Sequence, residues 1–189
     1  ELQYACHENR LTRYKGFGEK TQQNVLSSIQ FYLQNQGHFL YAQLEPVFPQ
    51  IDGYLKKIFG ADHVAVTGDY RRQALTIEEM AFVIAAPTDV VKKAFQTAQP
   101  PELLEDHTDS LLYKLSNGLK LRLYITDNNL VHTLFQTSGS PEFLEAFNQS
   151  FPDLIIPDTK GTTDDSYFTN AGIAIIPPCL RETAAVIDL

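Results

Sequence analysis

The spacing of hydrophobic positions changes character near residue 60. Before that point it is helical. Residues 1–9 read as a helix ended by Asn9, and Glu19 to about Gln34 sets Val25, Ile29 and Tyr32 at helical intervals. Lys15-Gly16-Phe17-Gly18 between them reads as a tight turn. A longer helical stretch runs from Phe39 to Phe59, with Pro46 and Pro49 as its candidate breaks. Beyond it the runs shorten. His63–Thr67 reads as a strand ending at Gly68, and Met80–Ala86 as a second, so uniformly apolar that it belongs inside a sheet. Thr88–Gln96 is helical, with Thr88 or Asp89 as its cap. Leu111–Leu115 and Leu119–Thr126 alternate on either side of Asn117-Gly118, the strongest local signal for a hairpin. Helices follow near 127–136 and 140–149, then the apolar Leu154-Ile155-Ile156 and a helix from Asp164. This order predicts an α+β fold: a helical module, then a mixed sheet with helices on one face.

Composition narrows the classes. The chain has 189 residues, 43% of them hydrophobic, which is enough for a core and excludes a disordered chain. No apolar run reaches the roughly 20 residues of a membrane span, so no membrane partner is expected. Cys6 and Cys179 lie far apart and outside any metal-ligand spacing, which fits a reducing, cytoplasmic setting. The net charge of −8 argues at first against a nucleic-acid partner. Sorted by region it says less: residues 1–33 sum to +1, residues 34–133 to −3 and residues 134–189 to −6. The acidity belongs to the C-terminal third.

The slightly basic end carries the first candidate site. In Leu11–Thr21 two glycines two residues apart, Gly16 and Gly18, let a partner's backbone approach, and a helix begins at once with free N–H groups. Lys15, Lys20 and Thr21 flank Phe17 there. The pattern fits a helix-hairpin-helix that holds a nucleic-acid backbone without reading sequence. It also fits an ordinary helix–helix turn with a glycine C-cap, and the flanking lysines favour the first reading.

The second candidate lies at Gly68-Asp69-Tyr70-Arg71-Arg72, followed by Thr76-Ile77-Glu78-Glu79-Met80-Ala81-Phe82. This stretch resembles the palm signature of the family X DNA polymerases, Gly-Ser-x-Arg-Arg and then Gly-Asp-x-Asp on a strand. The resemblance runs in order along the chain. Leu11–Gly18 is similar to the family's second helix-hairpin-helix, which grips the primer through backbone amides and a monovalent cation. By that likeness the cation would sit on the carbonyls of Thr12, Tyr14 and Phe17. Gly118–Ile125 resembles the strand with the third catalytic aspartate, and Ser138-Gly139-Ser140 the Thr-Gly-Ser that opens the thumb. Ile176-Pro177-Pro178-Cys179-Leu180-Arg181-Glu182 is similar to the close of the core in bacterial members, where a polymerase-and-histidinol-phosphatase (PHP) domain follows. The resemblance implies three parts: fingers-like residues 1–36, a nucleotidyltransferase-like palm at 37–136 and a thumb at 137–189. Because the chain starts at Glu1, it is expected to be part of a longer protein with a PHP domain of its own.

The departures from the pattern bear on chemistry. Two-metal phosphoryl transfer needs carboxylates holding two cations about 3.5–4 Å apart. The family's three aspartates correspond here to Glu79, Ala81 and Arg122. Ala81 has no ligand atom and Arg122 is a permanent cation, so a divalent metal such as Mg²⁺ is not expected. Asp69 replaces the family serine beside the phosphates, and Leu144 replaces an asparagine. Gly68, Arg72 and Gly139 remain as a nucleotide-binding remnant. The expected pairing is Arg122 with Glu79, the guanidinium taking the ion's place; the alternative is Arg122 pointing to solvent. Asp69 is expected to hold Arg71 or Arg72.

Other candidates read as structure. His7, His38, His63, His107 and His132 lack metal-ligand spacing and read as surface residues. Glu78 and Glu79 should point to opposite faces. Glu102, Glu105, Asp106 and Asp109 read as a solvated loop, Ser140 as a helix N-cap before Pro141, and Phe143, Leu144 and Phe147 as core. The leading expectation is a DNA-repair fragment that binds gapped or primer-template DNA weakly and has lost nucleotidyl transfer. Two alternatives stand beside it: a nucleotidyltransferase with a rearranged carboxylate set, and a protein-interaction scaffold without DNA binding.

Overall fold

The computed structural model describes residues 2–34, 37–97, 99–127, 129–154, 156 and 163–187. Ile155 of the apolar Leu154–Ile156 run lies outside them. The chain forms two compact units, residues 1–38 and 39–189.

In the first unit, helix α1 (Leu2–His7) is followed by a 3₁₀ turn at Leu11–Arg13 and helix α2 (Glu19–Gln34). Asn9 ends α1 in the left-handed region, φ 52°. Its side-chain oxygen accepts from Gln22 Nε2 at 2.7 Å, and its carbonyl accepts from Thr12 Oγ1 at 2.8 Å. One asparagine thus ties both helices to the turn between them. Gly16 adopts φ 95°, a conformation that a side chain would strain.

The second unit is built on a five-stranded mixed sheet of order β2-β4-β7-β6-β5. Its strands are β2 (Val64–Thr67), β4 (Glu79–Ala85), β5 (Glu102–Asp106), β6 (Ser110–Lys114) and β7 (Lys120–Thr126). Only β4 and β7 run parallel; every other pairing is antiparallel. The alternation read in β7 is the observed one: Leu121, Leu123 and Ile125 are buried on one face while Arg122 and Tyr124 occupy the other. β4 is apolar throughout because it is covered on both faces, with Met80 to Ile84 all at 2% exposure or less. Between β6 and β7 the hairpin turn closes at Gly118, φ 85°.

Helices α3 (Tyr41–Leu44), α4 (Phe48–Phe59) and α6 (Thr88–Ala94) cover the face of Phe82 and Leu123. Phe48 stacks on Tyr70 at 4.7 Å and on Phe82 at 6.1 Å, and Phe95 stacks on Tyr113 at 4.6 Å. The opposite face is not bare, contrary to the expectation of helices on one side. Helix α7 (Leu130–Thr137) reaches it, and Thr137 bonds Thr67 of β2 at 2.6 Å. Around α7 a second core gathers Phe135, Phe143 and Phe147 of α8 (Pro141–Ser150) and Tyr167 and Phe168 of α9 (Ser166–Ala171). Phe135 and Tyr167 stack at 4.0 Å.

Four local readings are corrected. Phe39–Phe59 is not one helix: β1 (Phe39–Leu40) pairs with β3 (Thr76–Ile77) before α3 and α4, and Pro49 lies in the first turn of α4, where proline's missing donor costs nothing. The acidic run 102–106 is an edge strand, held by pairing with β6 rather than left as a loop. The cap position of α6 is Pro87, and neither Thr88 nor Asp89 caps it. Leu144 is only partly buried and lines a cleft. Ser140 does cap α8, its Oγ accepting from the Phe143 N–H at 3.1 Å.

Candidate functional site

The parallel register of β4 and β7 sets the first relation. Ala81 lies opposite Arg122 and Glu79 opposite Lys120, so the three positions that carry the resemblance share one face and one end of the sheet. Arg122 Nε donates to Glu79 Oε1 at 2.6 Å, and Nη1 donates to Glu105 Oε2 at 2.9 Å. The guanidinium therefore bridges two carboxylates, reaching across β6 to the edge strand. Burial alone would lower its pKa, but the hydrogen bonds and charges of Glu79 and Glu105 hold it above the ordinary arginine value. Arg122 in turn holds the Glu105 carboxyl below the usual range. Glu78 has its own cation, Lys120, at 2.6 Å.

Beside this bridge opens a cleft of about 240 Å³, lined by Gly68, Asp69, Arg72, Glu79, Ala81, Tyr124, Thr137, Gly139 and Leu144 among others. Two glycines shape it. Gly68, at φ 65°, brings the turn so close that a Cβ there would stand 3.0 Å from the Ala81 methyl. A Cβ on Gly139 would stand 2.6 Å from the Phe143 ring, so the second core needs glycine there. Burial pushes the Tyr124 phenol up, and the Glu79 charge adds to the shift.

Both arginines that follow β2 are spoken for. Arg72 reaches Asp69 through Nη2, Glu182 Oε1 through Nε at 2.7 Å and the Gly139 carbonyl through Nη1 at 3.4 Å. Arg71 grips Asp164 with both terminal nitrogens at 2.8 Å and donates to Ser138 Oγ at 2.5 Å. Asp164 is shared with Arg181, which is fully buried and donates to it at 2.6 Å. Burial pushes the Asp164 carboxyl up, yet Arg71 and Arg181 outweigh it and hold the group below its ordinary value. Arg181 also lies over the Phe168 ring at 4.8 Å.

These residues do not fit a pair of divalent cations. Glu79 is committed to Arg122, Ala81 offers no ligand atom, and the described residues contain no group of three or more His, Cys, Asp or Glu arranged for a metal. All five histidines are exposed. A larger cavity of about 660 Å³ opens on the Phe82 face near Ile51, Tyr54, Phe95 and Leu121, but the charged groups converge on the smaller cleft.

In the first unit Lys15, Gly16, Gly18, Lys20 and Thr21 are exposed, and Phe17 is 41% exposed. Of the three carbonyls named for a monovalent cation, that of Tyr14 accepts the Phe17 N–H at 3.0 Å. No partner is given there for the carbonyls of Thr12 and Phe17. Sequence reasoning missed Asp164, Glu182 and Glu105 as parts of the site. The first two contact arginines 93 and 110 residues away, and no local pattern marks such a pair. Among the described residues no helix is long and apolar enough to cross a membrane. No protein-family model matches the chain, and no curated protein matches it.

Proposed function

We propose that the chain is a nucleic-acid-binding core of the family X polymerase type that has lost nucleotidyl transfer. In this reading residues 1–36 are the helix-hairpin-helix, 37–136 the palm and 137–189 the thumb. The observation that carries it is Arg122 seated between Glu79 and Glu105. A guanidinium there neutralises the carboxylates permanently and repels the ions that the reaction requires. Binding falls to the first unit, whose exposed Lys15, Gly16, Phe17 and Lys20 suit a duplex backbone with a gap or a primer end. The second unit adds little, because Arg71, Arg72 and Arg122 already hold carboxylates of their own chain.

Titration of gapped duplex DNA at increasing salt tests the binding half. Affinity should fall as salt rises, and K15E/K20E should weaken binding by about tenfold or more and lower the salt slope by about two. Unchanged affinity in that variant removes the hairpin as the contact. No binding by the native chain at low salt favours a scaffold that meets other proteins, to which the −6 charge of residues 134–189 would contribute.

A further inference from the structure

Arg72 is the cation that faces the cleft, and its bonding is unusual in one respect. Nε and Nη2 lie on the same edge of the guanidinium, the edge that takes both oxygens of a single carboxylate or phosphate. Here that edge is divided between two separate carboxylates, Glu182 on Nε and Asp69 on Nη2. They come from opposite ends of the second unit. Asp69 stands in the turn after β2, and Glu182 belongs to the C-terminal segment.

The two arginines differ in how firmly they are held. Arg71 is bound to Asp164, whose side chain is 4% exposed, whereas Glu182 and Asp69 are 48% and 37% exposed. Water and ions therefore compete for Arg72 but not for Arg71. The segment behind Glu182 is fixed by its backbone: Ser140 Oγ donates to the Glu182 carbonyl at 2.6 Å, and Ser140 N–H donates to the Arg181 carbonyl at 2.8 Å. The Glu182 side chain can swing away without moving the segment.

We propose that Asp69 and Glu182 are built-in competitors for anions at Arg72, so that the chain closes its own cleft to phosphate-bearing ligands. The site is an oxyanion site occupied from within. Neutralising the two carboxylates opens it, and the ligand class it then takes is a phosphate or pyrophosphate group. This inference concerns the same cleft as the function proposed above but does not depend on DNA binding by the hairpin, so the two can fail separately.

Calorimetric titration of the full chain with inorganic pyrophosphate, in the presence of a chelator, tests it. D69N/E182Q keeps the shape of both side chains and removes their charge. It should bind at least about tenfold more tightly than the native chain, and adding R72Q should abolish the gain. Binding to the hairpin lysines is common to all three proteins and cancels. The proposal is overturned if the native chain binds as tightly as D69N/E182Q, or if the gain survives R72Q. The single variant E182Q, a change at a half-exposed side chain, should show part of the gain. If the double variant does not fold, a lack of any gain in E182Q is decisive against it.

Discussion

Replacing Asp164 by alanine is expected to destabilise the protein by about 3–5 kcal/mol, measured by denaturant unfolding. The carboxylate is 4% exposed and is the common partner of Arg71 and of the fully buried Arg181. Without it two guanidiniums face each other across a site that water does not reach, and neither can shed its charge. The second core suffers as well, because Arg181 is seated on Phe168 and donates to the Ile176 carbonyl. The pH dependence has a definite sign. The Asp164 pKa is lower in the folded chain than the ordinary value of about 3.9, so its contribution is complete above that value and is lost as pH falls through the folded one. The gap in stability between native protein and D164A should be constant above about pH 5 and should shrink in acid. A gap that widened on acidification would contradict the assignment.

Arg122→Ala is the second large expected effect, a loss of about 2–3 kcal/mol. The arginine side chain is only 16% exposed and satisfies two carboxylates at once. Its removal leaves Glu79 and Glu105 charged and near each other with no cation between them. The sign again separates causes. If the cost is electrostatic, acid relieves it, because protonated carboxyls need no counter-ion. R122K should recover only part of the loss, since an ammonium cannot hold two carboxylates through the fixed fork that Nε and Nη1 supply. Full recovery by lysine would mean that charge alone matters and that the bridge does not.

The sheet was largely legible in the sequence, and for physical reasons. β7 alternates strictly because one of its faces is core and the other is the site. The Asn117-Gly118 turn is chemically specific, since it needs a positive φ that glycine supplies at 118. The Glu79–Arg122 pair followed once the two positions were set on neighbouring strands. What was not legible depends on long-range packing. The two-residue strands β1 and β3 carry too few positions to show any period. The acidic run at 102–106 looked like solvated loop, yet Glu105 is drawn into the site by an arginine two strands away. Asp164 resembled only a helix start, and its role depends on Arg71 and Arg181 arriving from either side. Charge pairs of this kind leave no periodic trace in a sequence.

Primer extension by the purified chain on gapped duplex DNA, with Mg²⁺ and separately with Mn²⁺, tests the central claim most directly. An arginine seated where catalysis would need a cation clamp predicts no template-dependent incorporation with either metal, under salt conditions where the same DNA is bound. Incorporation that follows the template and disappears in E79Q would contradict it, and would mean that the Arg122 bridge opens to admit metal.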